Sequence, residues 1–304
     1  MSAAPISLAH RRPLSERIIE RLLFLAAALG VATTFGIIAV LAVETLEFFL
    51  QVSPIDFFTG TRWSALIKPQ AFGVLALVSG TLLVTVIALL IAIPLGLLAA
   101  TLLAEYATPR VRTVVKPILE TIAGIPTIVL GFFGLNFIAP EILRPLLGPE
   151  NIGVFSALNG GIVVGILITP LIASISEDAM RAVPRGMREG AYAMGATKFE
   201  VIRKVVFPAA LSGIMASIIL AMSRAIGETM AVVLTVGAQP QFTFDPTESI
   251  QTMTAFIVQI SFGETAQGSL EFKSLFAVGA TLFVMTLGLN LLSGWIVRRF
   301  RTAY

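Results

Sequence analysis

The chain has 304 residues, of which 56% are hydrophobic and 13% charged, with a formal net charge of +3 and a mean hydropathy of +0.92. These values exclude an ordinary soluble domain and identify a membrane protein. The absence of cysteine removes disulfides, thiolate metal sites and cysteine nucleophiles, and the scattered basic residues speak for topology rather than nucleic acid.

Crossing about 30 Å of hydrocarbon takes about 20 apolar residues. Six stretches qualify, roughly 22–43, 73–104, 117–139, 160–175, 209–236 and 274–297. The first follows a polar, basic segment containing a solvated His10, and it is long and has no small-residue cleavage site, so it reads as a membrane helix rather than a cleaved leader. The second is overlong, with residues 69–77 expected at the interface and a bend expected at Pro94. Gly124, Pro126, Gly131 and Gly134 punctuate the third, where glycine and proline allow close packing or a local break, and Gly161 with Gly165 gives a small-xxx-small spacing in the fourth; packing is the expected role in each case. The chain then divides into a tail (1–21), a first span with its outer loop (22–72), a transmembrane domain (73–297) and a second tail (298–304).

Lysine and arginine are retained in cytoplasmic loops. With the N-terminus inside, four fall in the tail (Arg11, Arg12, Arg17, Arg21) and three in the first inner loop (Arg110, Arg112, Lys116). Six fall in the second inner loop (Arg181, Arg185, Arg188, Lys198, Arg203, Lys204) and three in the C-terminal tail (Arg298, Arg299, Arg301). That is sixteen of the 21, so both ends are expected in the cytoplasm. The outer loops 44–70, 140–159 and 237–272 are of moderate length, the last carrying Asp245, Glu248, Glu264 and Glu271. They are expected to form a rim for an external partner.

The second inner loop, RGMREGAYAMGATKFEVIRKVVFP over residues 185–208, carries the grammar of two short helices. Pro184 opens the first and Gly195 ends it in the left-handed conformation. Thr197 and Glu200 fit a capping box, Arg203 and Lys204 suit the end of the second helix, and Pro208 starts the next one. Glu189, Gly190 and Ala191, three residues, Gly195, nine residues, Val205, one residue, Phe207 and Pro208 resemble the EAA loop of ABC-importer permeases. That pattern is E-A-A, three residues, G, nine residues, I-x-L-P; Gly190, Val205 and Phe207 depart from it, small for small or apolar for apolar. The resemblance implies that Glu189, Gly190, Ala191, Gly195 and Pro208 couple the chain to a separate ATPase subunit. Glu177 and Asp178 precede the loop, where basic residues of the loop or of that ATPase are both open as partners. Glu120, four residues after Lys116, reads as a helix-end charge.

In the fifth span, SRAIGETMA (223–231) sets Arg224 and Glu228 four apart on one expected helical face. An ionised side chain at mid-bilayer costs at least about 2.5–3.5 kcal/mol. Either the two neutralise each other, or a neighbouring subunit's carboxylate meets Arg224, or Arg224 offers fork-like donors to a passing oxyanion while Glu228 restrains it. RAIGETMAV, ETIAGIPTIVLGFFGL (120–135) and ISEDAMRAVPRGMREGAYAMGATK (175–198) are similar to the PstC-type permease subunits of bacterial phosphate importers, and the likeness covers the chain from about Leu75 onward. It implies an all-α polytopic ABC-importer permease fold of six transmembrane helices in the inner membrane. The partners it implies are a PstA-like second permease, two PstB-like ATPases and a PstS-like phosphate-binding protein, with Arg224 and Glu228 serving translocation. Another oxyanion such as phosphonate or sulfate is the nearer alternative, and an ion-coupled secondary transporter the more distant one.

No G-x-x-x-x-G-K-[ST], H-E-x-x-H or G-x-S-x-G occurs. The chain is therefore expected to be a transport subunit without a catalytic site, binding no cofactor, with ATP and magnesium on the partner.

Overall fold

The computed structural model describes residues 14–299; His10, Arg11, Arg12 and Arg301 lie outside them. Six helical stretches in it are long and apolar enough to cross a membrane: Ile18–Phe49, Leu75–Tyr106, Thr127–Leu147, Ala157–Arg181, Lys198–Ile226 and Leu270–Trp295. They correspond one to one with the six stretches expected, with shifted ends.

Helix α1 (Leu14–Phe49) is apolar all round and packs chiefly along the last helix, leaving most of its surface outward. The short α2 (Pro54–Thr59), with Ser53 as its cap, follows, and then β1 (Trp63–Ser64) pairs antiparallel with β2 (Ala71–Phe72). These pieces close one end of the bundle with edge-on aromatic rings: Phe48, Phe57, Trp63 and Phe72 pack together, and Trp63 meets Phe256 at 4.8 Å. The expected interfacial segment before the second span is thus partly a strand. Helix α3 (Leu75–Thr101) begins at Leu75, runs through Pro94 and ends in a π-helical turn, Leu102–Tyr106.

The third span starts later than residue 117. Residues Pro109–Ala123 form a separate helix, α4, capped by Thr108 and ended by Gly124, with no buried residue. Helix α5 (Thr127–Phe133) then opens after Pro126, passes into a π-helical segment (Gly134–Leu143) that contains Pro140, and finishes as α6 (Arg144–Leu147). Hydropathy alone runs smoothly across this break. Gly124 and Pro126 make it, since proline supplies no amide to continue the helix and disfavours the α conformation in Ile125.

Helix α7 (Ala157–Arg181) is the most enclosed of the spans, and α3, α4 and the later helices gather round it. Its glycines are the reason. A methyl group on Gly161 would run into Ile87, and one on Gly165 would lie 3.2 Å from the Ala88 carbonyl, so two backbones approach as the small-xxx-small spacing predicts. Gly161→Leu should therefore force α3 and α7 apart; overpacking of this kind costs about 1–3 kcal/mol or more. Its expected outcome is a fall in monodisperse protein extracted from membranes, read by size-exclusion chromatography of a fluorescent fusion, with Gly186→Leu, in open space, as the tolerated comparison.

After α7 come α8 (Arg185–Ala193) and α9 (Lys198–Val201), which continues without interruption through a π-helical turn (Ile202–Val206) into α10 (Phe207–Ile226). Pro208 therefore does not begin a new helix; it sits inside one, and the wider turn just before it absorbs its missing amide. Helix α11 (Met230–Val236) follows a break, and α12 (Met253–Phe262) and α13 (Leu270–Arg299) complete the bundle. Part of the segment expected to be a polar rim folds inward: residues 250–256 are buried and α12 packs on α3 and α13, while Asp245, Glu248 and Glu264 stay exposed.

Candidate functional site

Two places carry the residues singled out by sequence: the elbow formed by α8 and α9, and the break between α10 and α11. The elbow follows the local rules closely. Gly195 adopts a φ of +82°, and the Ala196 amide donates back to the Ala191 carbonyl at 3.1 Å. The capping box is complete, with the Thr197 amide donating to Glu200 Oε2 at 3.0 Å and the Glu200 amide to Thr197 Oγ1 at 3.4 Å. Glu189 and Gly190 are exposed, while Ala191 packs inward against the cluster of Met180, Val183, Val201 and Val206.

Long-range charges that the sequence left open fasten this elbow. Arg188 donates to the Val183 carbonyl at 2.7 Å, to the Met180 carbonyl at 2.7 Å and to Glu105 Oε1 at 3.0 Å, tying α8 to the end of α7 and the last turn of α3. Lys198 stands over the Tyr106 ring at 4.5 Å. Glu177 and Asp178 find their cations on α4: Lys116 Nζ lies 2.8 Å from Glu177 Oε2 and 2.6 Å from Asp178 Oδ1. Lys116 thus pairs with α7 and not with Glu120. Partial burial opposes its charge, and the hydrogen bonds and charges of Asp178 and Glu177 outweigh that, holding its ammonium above the ordinary lysine range. An open cleft of about 760 Å³ lies between α4, the end of α3 and the elbow, lined by Arg112, Lys116, Arg185, Arg188, Glu189 and Tyr192 among others. The pairing of Glu105 with Arg188 was not legible in sequence, because the two stand 83 positions apart.

At the second place, the expected shared helical face of Arg224 and Glu228 does not exist. Gly227 ends α10, and the Glu228 carboxylate turns into the protein, 8% exposed, accepting from the Ala231 amide at 3.3 Å and so capping α11. The Glu228 carbonyl accepts from Thr254 Oγ1 at 2.9 Å, and Thr81 Oγ1 accepts from the Met253 amide at 3.0 Å, so α12 braces the break against α3. Arg224 is exposed, and no carboxylate among the described residues pairs with it. Its neighbour Ser223 donates to Asn290 Oδ1 at 2.8 Å, fixing the end of α10 to α13. The arrangement holds a cation outward from an apolar bundle at an interrupted helix, a geometry suited to meeting an anion or another subunit.

Comparison with known proteins agrees with this architecture. Residues 92–302 match the family described as "Binding-protein-dependent transport system inner membrane component". The chain is 36% identical over 283 residues to the probable ABC transporter permease protein YqgH of Bacillus subtilis, covering 92% of this chain and 90% of that one. It is 34% identical over 278 residues to the phosphate transport system permease protein PstC of Mesorhizobium japonicum, covering 86% and 84%. A solved bacterial alginate ABC transporter, in complex with its alginate pentasaccharide-bound periplasmic protein, superposes with a TM-score of 0.64 at 18% identity over 96% of this chain and 99% of that one, a likeness of fold alone. With six spans and a family match across most of its length, the chain belongs to the binding-protein-dependent inner membrane components, the multi-pass permease subunits of ABC importers.

Proposed function

We propose that the chain is one half of the membrane pore of an ATP-driven phosphate importer. Family membership implies a second permease, ATPase subunits and a substrate-binding protein; we assign these as PstA-like, PstB-like and PstS-like, with ATP and magnesium held by the ATPase. Both chain ends and the elbow face the cytoplasm in this reading, as the distribution of lysine and arginine requires. The elbow, with Glu189, Gly190, Ala191 and Gly195, seats on the ATPase, and its displacement passes along the continuous helix through Pro208 to the break at Gly227.

The observation that carries the cargo assignment is Arg224, an exposed cation without a carboxylate partner among the described residues, in a chain whose relatives include phosphate permeases. A guanidinium offers an oxyanion two parallel donors. Glu228 acts there by holding α11 in place. One arginine does not separate phosphate from sulfate, so the external binding protein supplies that choice. In proteoliposomes containing both permeases and the ATPase, uptake of labelled phosphate is expected to require ATP and the binding protein and to resist a hundredfold excess of sulfate or methylphosphonate. Equal competition by either anion overturns the cargo assignment, and uptake by this chain alone under an ion gradient overturns the ATP-driven reading.

A further inference from the structure

Helix α4 is held to the bundle by charge. It has no buried residue of its own, and Val111, Val114 and Ile118 along it are exposed. Against it lies Glu177, one turn before the end of α7 and 0% exposed. Its carboxylate meets Arg112 Nε at 2.7 Å and Lys116 Nζ at 2.8 Å, both from α4, and Arg181 of its own helix at 3.8 Å. Asp178 adds a second contact to Lys116. The last turn of α7 and the residues just beyond it receive Arg188 of the elbow on the Met180 and Val183 carbonyls. The end of α7 is therefore gripped by the elbow on one side and grips α4 on the other.

From α4 the chain leads on to the second site. Gly124, Ile125 and Pro126 separate it from α5, and α5 packs on α11 at Gly131, where an added methyl would meet Leu234 Cδ1 at 2.9 Å and Ala231 Cα at 3.1 Å. Helix α11 begins at the break that follows Arg224. The two breaks match: Gly124 (φ −86°, ψ −5°) and Gly227 (φ −87°, ψ −2°) end their helices in the same conformation, and the short helices beyond them lie against each other.

We propose that Glu177 is a positioning residue for transport, locking α4 to the last turn of α7 so that movement of the elbow reaches the Arg224 break by a second route, through α4, α5 and α11. This rests on the reading of the elbow as the ATPase-driven element. Exposed ion pairs are too weak to make such a joint; a carboxylate withdrawn from water is different, because pulling α4 away would strand its charge. The helix break at Gly124 then lets α5 respond as a separate rigid piece.

The absence of cysteine allows spin labels on Thr113→Cys in α4 and Ala182→Cys just beyond α7, in the full reconstituted complex. One narrow distance, unchanged between nucleotide-free and ATP-trapped states, is expected. Glu177→Gln should broaden it and lower the phosphate taken up per ATP hydrolysed by about tenfold. Glu177→Asp should recover most of that ratio, and Arg112→Gln added to Glu177→Gln should lower it no further, because the ion pair that Arg112 makes is with Glu177 and both substitutions remove that same tie. A merely structural role would reduce the amount of complex and leave the ratio alone. An unchanged distance and ratio in Glu177→Gln, beside ATP-driven uptake in the unsubstituted complex, overturns the joint, whereas ATP-independent uptake by the unsubstituted complex overturns the coupling reading beneath it. Should Glu177→Gln fail to assemble, Lys116→Gln takes its place, and an unchanged ratio there overturns the proposal.

Discussion

Arg224→Gln is expected to lower phosphate uptake by about a hundredfold or more in a complex that still assembles. Charge-assisted hydrogen bonds contribute about 1.5–3 kcal/mol each, and losing a two-pronged grip at the top of a barrier costs about a factor of ten for every 1.4 kcal/mol. Glutamine removes the charge and the fork together. Lysine keeps the charge as a point and loses the fork, so Arg224→Lys should fall between, at about a tenfold loss. Because Arg224 is exposed among the described residues, neither substitution opens a void in the packed interior. Radiolabelled uptake and copurification of the partner subunits decide the matter together. Failure of Arg224→Gln to copurify would move the arginine from the path to a subunit contact.

Arg224 and Glu228 also show where sequence reasoning ended. Their spacing of four is a helical spacing only while the helix lasts, and a single glycine inside an apolar run does not announce whether it continues or stops. Here Gly227 stops it, and the carboxylate is used to cap the next helix instead of pairing with the arginine. The same ambiguity hid the start of the third span, where the end of α4, from Pro117 on, and α5 read as one hydrophobic stretch. The elbow was legible almost residue by residue, because capping boxes and left-handed glycines involve partners two to five positions apart. Glu177 was noticed as a charge, but whether its partner lay on α4, on the elbow or on another subunit is a fact of tertiary packing. The inward fold of residues 250–256 was missed for a related reason: Thr252, Thr254 and Gln251 look polar in sequence, yet they are buried because hydrogen bonds such as Thr254 to the Glu228 carbonyl satisfy them.

Gly195→Val is the second substitution with a large expected effect, and the surroundings of Gly195 make it a clean one. Nothing lies within 4 Å of the position its Cβ would occupy, so no clash is introduced, and the whole consequence comes from the backbone. At a φ of +82° a β-branched residue carries a penalty of about 1–3 kcal/mol, which moves the elbow out of its bent conformation by about tenfold or more. Asparagine tolerates that region far better than other non-glycine residues. The expected order of phosphate uptake is therefore glycine, asparagine, alanine, valine, with the valine variant at about a tenth or less of the starting rate while the subunit remains in the membrane. ATP hydrolysis by the same complexes should become progressively less dependent on the binding protein along that series. A loss of uptake that followed side-chain volume, with asparagine worse than alanine, would mean that the open space around Gly195 is filled by the partner ATPase. The left-handed turn would then be incidental to transmission, and the elbow would act through the surface it presents.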